Sequence, residues 1–304
     1  MMMRAAFTLL ELLVVIVILA LLAAVGFRIF SPLVTAYTTA ASFEKQQASL
    51  SNAVLVAQAR LNNAILPTLA AFSGSFGGVE VKSGKLNSNL TTLNLKEFHN
   101  QVCPLQAGCG AGVVWFAKSY ETLRNNGSFG WSGFVSFQTL SRNKSELAFS
   151  ELSGDLKASQ EVLKSLFDDR KQRQMALIFL ADDESELAES GGEKEDLKEL
   201  YKSNSTLALK TKLKPPKLVV SSKQEVKVWE RYALSHTLNA LALQNGELVL
   251  YYDFLPWETS RAKRAVLLDG VESFEVKRVG KMGVLLTICV RQNGGKVCKN
   301  TVTI

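Results

Sequence analysis

Residues 7–27 of the chain read FTLLELLVVIVILALLAAVGF, an almost wholly apolar run that ends at Arg28. Its 21 residues would span about 31 Å as a helix, close to the ~30 Å hydrocarbon thickness of a bilayer. A cleaved secretory signal wants a shorter apolar core behind a basic start, with a small-x-small cleavage site. Here Arg4 is the only basic residue ahead of a long run. A plain membrane anchor fits the length but leaves Glu11 unexplained, because a carboxylate deep in the bilayer costs roughly 2.5–3.5 kcal/mol.

The segment RAAFTLLELLVVIVILALLAAV combines a basic residue, a small residue, Phe-Thr-Leu-x-Glu and an unbroken apolar helix. In this it resembles the class III leader of type IV pilins and pseudopilins. The resemblance implies cleavage between Ala6 and Phe7 by a prepilin peptidase/methyltransferase on the cytoplasmic side. It implies N-methylation of Phe7 and makes Glu11 the fifth mature residue. Ala6 stands where the family usually has Gly, which bears on the efficiency of cleavage more than on its site. The resemblance also supplies a partner for Glu11, the charged amine of Phe7 on a neighbouring subunit. A buried carboxylate is costly unless paired. The pair would set the register between stacked helices, as one buried polar group does in a coiled coil.

Beyond Pro32 the pattern turns amphipathic. Phe43, Leu50, Ala57 and Ala64 recur every seven residues, and Val54 and Leu61 fill the offset. The helix is expected to stop near Pro67, and Pro32 to kink or loosen it. Residues 67–150 read as loops and short strands, rich in Gly and aromatics. Residues 151–205 read as a helical, acidic insertion around a buried strand, MALIFLA. The last hundred residues are expected to form an antiparallel sheet. HTLNALALQNGELVLYYDF is a hairpin with a type I′ turn at Asn245-Gly246. GVESFEVKRV, GVLLTICVRQ and KVCKNTVTI then follow as a meander.

The chain carries +7 overall, unevenly spread. Between Asp182 and Glu199 nine acidic residues face two lysines, a net −7 that leaves +14 on the rest. A basic body suits an anionic partner such as DNA, although a solvated surface is the commoner cause. The acidic residues lack the alternate spacing of a calcium loop, so they read as a solvated face.

No catalytic set emerges. Gly130-Trp131-Ser132-Gly133 lacks the last spacing of a nucleophile elbow, since Phe134 follows. Gly84-Lys85 is followed by Leu86 and preceded by Val79, not by the residues of a phosphate loop. Gly108-Cys109-Gly110-Ala111-Gly112 has no strand before it. His99 and His236 lie far apart without metal spacing. The aromatic run from Tyr251 to Trp257 reads as alternate core positions of a strand. No cofactor or metal is expected.

The cysteines fall in two local pairs, Cys103/Cys109 and Cys289/Cys298, at spacings that favour disulfides over a zinc site. For the second pair the turn decides. A two-residue turn at Asn293-Gly294 pairs Gln292 with Gly295 and sets Cys289 opposite Cys298 at a non-hydrogen-bonded position. A turn at Gly294-Gly295 would put the cysteines out of register.

WERYALS, LVLYY and LLDGVESFEVKRVGKMGVLLTICV resemble the C-terminal sheet of minor pseudopilins, the J-like type of type II secretion in particular. Taken together, the expectation is an α+β fold. Residues 1–6 are the leader, 7–30 the transmembrane half of a long helix and 31–66 its amphipathic half. Residues 206–304 form the C-terminal antiparallel sheet on which the helix packs. The implied protein is a non-enzymatic minor pilin or pseudopilin of the inner membrane, single-pass, with its body in the periplasm. It would join or initiate a short filament driving protein secretion or DNA uptake. Its partners would be other pilin or pseudopilin subunits, the peptidase, the inner-membrane platform of the assembly machine and the membrane. The alternative is a DNA-binding tip subunit.

Overall fold

The computed structural model describes residues 9–72, 102–103, 112–119, 132–136, 138, 140–143, 146–149, 157, 160–161, 164–165, 174–180, 198–214, 217–221, 226, 228–279, 283–292 and 295–303. Two compact units meet in the chain at Ser49 and Leu50. The fold is α+β, as expected: a long N-terminal helix followed by antiparallel sheets.

In the first unit, helix α1 (Leu9–Asn62, 54 residues) begins. Its apolar side chains from Leu12 to Phe30 are exposed among the described residues: Leu19 is 60% and Phe27 76% exposed. A helix that is apolar on every side is at home in a core or in lipid, not in water. Among the described residues no core covers the segment before Arg28. Pro32 lies inside the helix and withholds one N–H from the ladder, yet the helix runs on to Asn62.

The second unit is built from three sheets. β1 (Ala70–Phe72), β2 (Val102–Cys103), β3 (Gly112–Phe116), β11 (Leu238–Gln244), β12 (Glu247–Phe254) and β13 (Lys263–Leu268) form the first, in the order β13-β12-β11-β3-β1-β2. β4 (Ser132–Phe134), β5 (Ser141–Asn143), β6 (Glu146–Phe149), β7 (Met175–Leu180), β8 (Ala208–Lys214), β9 (Lys217–Ser221) and β10 (Arg231–Ser235) form the second, in the order β4-β10-β7-β8-β9-β6-β5. β14 (Val271–Val279), β15 (Gly283–Gln292) and β16 (Gly295–Thr303) are the expected meander. The strands of residues 206–304 are thus shared among three sheets.

Strand alternation sorts the core into layers. Val114 and Phe116 of β3 face Ala176 and Ile178 of β7, with Ala208, Ala233, Ala240 and Ala242 between the two large sheets. These small side chains let the sheets approach closely. Val113 and Trp115, one residue out of phase, point the other way. They meet Leu50, Val54, Ala57 and Leu61 of α1, and Phe274, Leu286 and Ile288 of the meander. The stripe read from the sequence is therefore the buried face from Leu50 onward, with Ala53 added, whereas Phe43 is exposed.

The seven-stranded sheet is curled. Its edge strands β4 and β5 would stand about 29 Å apart if it were flat. The link from Phe134 to Ser141 can reach only about 25 Å. Inside the curl Val135, just past β4, shares a core with Leu147 and Phe149 of β6, the strand next to the other edge, around Met175, Leu177 and Tyr232.

Candidate functional site

The first turn of α1 carries Glu11, whose side chain is exposed and surrounded along the helix by exposed Leu12, Leu13, Val14 and Val15. Ala6 and Phe7, the expected cleavage and methylation positions, lie outside the described residues. Past Phe30 hydroxyls join the helix surface beside exposed Leu33, Val34 and Tyr37. The Thr35 hydroxyl donates to the Ser31 carbonyl at 2.9 Å, Thr38 to Thr35 at 3.0 Å and Ser42 to Thr39 at 2.8 Å. Each hydroxyl proton is spent on a carbonyl of the preceding turn, so this belt stays compatible with a helix.

Where α1 ends, the chain is stitched into β3. The residues just past the helix exchange backbone bonds with the end of β3 and the residues after it: Ile65 N–H donates to the Phe116 carbonyl (2.8 Å) and Lys118 N–H to the Asn63 carbonyl (2.6 Å). Thr68 Oγ donates to the Ile65 carbonyl at 2.7 Å and accepts from Phe116 N–H at 3.0 Å. The helix therefore stops at Asn62, short of Pro67, because its next residues bond across to a strand. Pro67 sits in the 3-10 turn Leu66–Thr68.

Tyr201 locks the same junction from the far side of the acidic stretch. Its hydroxyl donates to the Thr68 carbonyl and lies 3.2 Å from that of Val114, while its ring stacks on Phe116 at 5.5 Å. Burial pushes this phenol well above its ordinary value, against the pull of the Thr68 bond. Nearby, partial burial of Glu199 opposes its ionisation. The bonds from Lys202 (2.7 Å) and Thr206 N–H (2.9 Å) outweigh it and hold the carboxyl below its ordinary value. Sequence reasoning missed this latch. Its one signal is a lone aromatic, Tyr201, at the end of a polar helical pattern.

Of the candidate serine and histidine positions, His236 and Ser132 are among the described residues, and Ser132 is half-buried. His236 is satisfied in the interior: its Nδ1 lies 2.7 Å from Ser119 Oγ, which also accepts His236 N–H at 3.1 Å. Both residues are buried, so a substrate has no route to that hydroxyl. Ser132 is in β4, while His99, Gly84 and Lys85 lie outside the described residues. Tyr251, Phe254 and Leu255 of the aromatic run are core, with Tyr252 and Trp257 partly buried. Among the described residues no three His, Cys, Asp or Glu converge on a point that could hold a metal.

Cys289 and Cys298 are joined by a disulfide, in the register derived from the turn. Gln292 pairs with Gly295 and Cys289 with Cys298. Cys103 is in β2, whereas Cys109 and the residues of the acidic stretch from Asp182 to Leu197 lie outside the described residues.

Residues 1–27 match the family described as the prokaryotic N-terminal methylation motif. No curated protein and no solved structure matches the chain. The motif supports a type IV pilin-like subunit, and it is followed by the one helix among the described residues long and apolar enough to cross a membrane.

Proposed function

We propose that this chain is a minor pilin or pseudopilin, structural and not enzymatic, that enters or initiates a short filament driving protein secretion or DNA uptake. The observation that carries the proposal is one segment: the methylation motif over residues 1–27 running into an uncovered apolar helix with Glu11 in its first turn. In this reading a prepilin peptidase cuts between Ala6 and Phe7, and the new amine is methylated. Residues 28 onward stand in the periplasm, since Arg4 marks the cytoplasmic side under the positive-inside tendency. The apolar helix holds the subunit in the inner membrane beside the assembly platform until it joins other subunits. The C-terminal strand phrases support a place with the J-like minor pseudopilins.

Mass spectrometry of the mature N-terminus tests the proposal. The expected species begins at methylated Phe7, and Ala6→Gly is expected to preserve or raise the processed fraction. A protein that starts at Met1, or beyond Ala24, refutes the assignment.

A further inference from the structure

The last strand of the meander, β16, is nine residues long, lies at the edge of its sheet and is exposed along most of its length. Which of its backbone groups are open follows from the disulfide. Residues directly opposite in an antiparallel pair stand about 5.5 Å apart when hydrogen-bonded and about 4.5 Å when not. Cys289 and Cys298 are opposite partners with Cα atoms 4.0 Å apart, so theirs is a non-hydrogen-bonded pair. The N–H and C=O of Cys298 then point away from β15. By alternation so do those of Lys296, Asn300 and Val302. The Val302 carbonyl confirms the phase, because it accepts a bond from Gln58 Nε2 of α1 at 3.4 Å. One end of the edge is thus capped. The outward groups of Lys296, Cys298 and Asn300 have no partner among the described residues, and all three residues are exposed.

We propose that this open edge receives an extended acidic segment of another protein as an added antiparallel strand. Main-chain pairing to an uncovered edge is a general mode of peptide recognition, with flanking side chains choosing the partner. The flanking charge here has one sign. β16 carries Lys296 and Lys299 and no carboxylate. Lys299 is turned to Ser51 Oγ at 2.7 Å, and Lys296 makes no ion pair among the described residues. The acids of the sheet sit two strands away on β14, Glu272 with Arg291 and Glu275 with Lys277. Edge lysines guard against pairing with another strand of the same kind. A second copy of β16 would bring two more lysines to the seam, Lys296 and Lys299 lying on opposite faces of the strand, whereas an acidic strand meets them with opposite charge. The disulfide keeps the strand in place while its outer side is used.

The test uses the full-length chain in detergent micelles with labelled nine-residue peptides, acetylated and amidated, alternating Glu, or in the control Lys, with Val and Thr. The Glu peptide is expected to bind and to slow hydrogen exchange at the amides of Lys296, Cys298 and Asn300. The Lys peptide is expected to bind at least about tenfold more weakly. Asn300→Pro removes an outward N–H without touching the β15–β16 ladder, a place where an edge strand accepts proline. Lys296→Glu reverses an exposed charge and provides a second variant should the proline perturb folding. Each is expected to weaken the Glu peptide by about tenfold. The proposal is overturned if the Glu peptide fails to bind, if both peptides bind alike, or if neither variant weakens binding. It is equally overturned if protection of those three amides rises with protein concentration alone, which would assign the edge to a second copy. Neither outcome depends on how the N-terminus is processed.

Discussion

Tyr201 and Tyr232 bury the same phenol to opposite effect. Tyr201 spends its hydroxyl on the Thr68 carbonyl and ties the helix exit to the turn that precedes β8. Tyr232 points into the curl of the seven-stranded sheet, where its hydroxyl has no hydrogen-bond partner among the described residues. A buried bond that is made contributes about 1 kcal/mol, and a buried polar group left unmade costs about 1–3 kcal/mol. Tyr201→Phe is therefore expected to lower stability by about 1–2 kcal/mol, and Tyr232→Phe to be neutral or to raise it, in denaturant titrations. Burial raises both phenols, so each contributes to a loss of stability at alkaline pH. Burial pushes Tyr232 up to about 12 in the folded chain, against about 10 when unfolded. Its neutral form therefore favours the fold fully below pH ~10, and that contribution is lost as pH rises above ~10. Tyr232→Phe is expected to flatten the fall in stability over that alkaline window, and an unchanged slope would contradict the burial assigned to this ring. Glu199 works at the other end: its depressed carboxyl stabilises the fold above the ordinary carboxylate range, and acid removes that contribution.

At the scale of elements, what was legible in the sequence is what local chemistry determines. Asn245 and Gly246 adopt φ of 56° and 80°, the left-handed pair that a type I′ turn requires and Asn-Gly supplies. From that turn Gln244 pairs with Glu247 and the hairpin follows. The Cys289–Cys298 register was legible for the same reason, a two-residue turn counted outward. Sheet membership was not legible. β3 lies between β11 and β1, and β7 between β10 and β8, because matching faces of Val, Ala and Leu meet in the folded chain. No spacing in the sequence encodes that choice. The helix end shows the same competition, since Asn63 and Ile65 are drawn into bonds with β3 before Pro67 can stop the helix. The disulfide's contribution belongs at this scale too. It closes a loop of nine residues' separation, for which the chain-entropy estimate is about 2–3 kcal/mol at most. Cys298→Ser is expected to lower stability within that bound and to speed hydrogen exchange in β16 first, while β11 and β12 stay protected.

The whole molecule sets two demands on one helix. The segment before Arg28 must be apolar enough to stay in lipid, and every side chain from Leu12 to Val25 but a few small ones serves that end. Glu11 opposes it, at a cost that reaches roughly 2.5–3.5 kcal/mol if the carboxylate sits deep. A residue that only hinders anchoring would be dispensable, so its proposed worth lies in association, where the amine of a neighbouring Phe7 neutralises it. The two demands can be separated experimentally. Glu11→Val makes insertion cheaper and deletes the pair, so the variant is expected to fractionate with membranes as fully as the parent chain. It is also expected to be processed at the same bond, to keep its Cys289–Cys298 disulfide, and to be lost from the sheared filament fraction. Glu11→Asp keeps the charge on a shorter arm and is expected to assemble partially. Shearing followed by quantitative immunoblotting of membrane and filament fractions reads all of this at once. Equal incorporation of the valine variant would show that the carboxylate does not set the register between subunits, whereas a variant missing from the membrane would place the role of Glu11 in insertion.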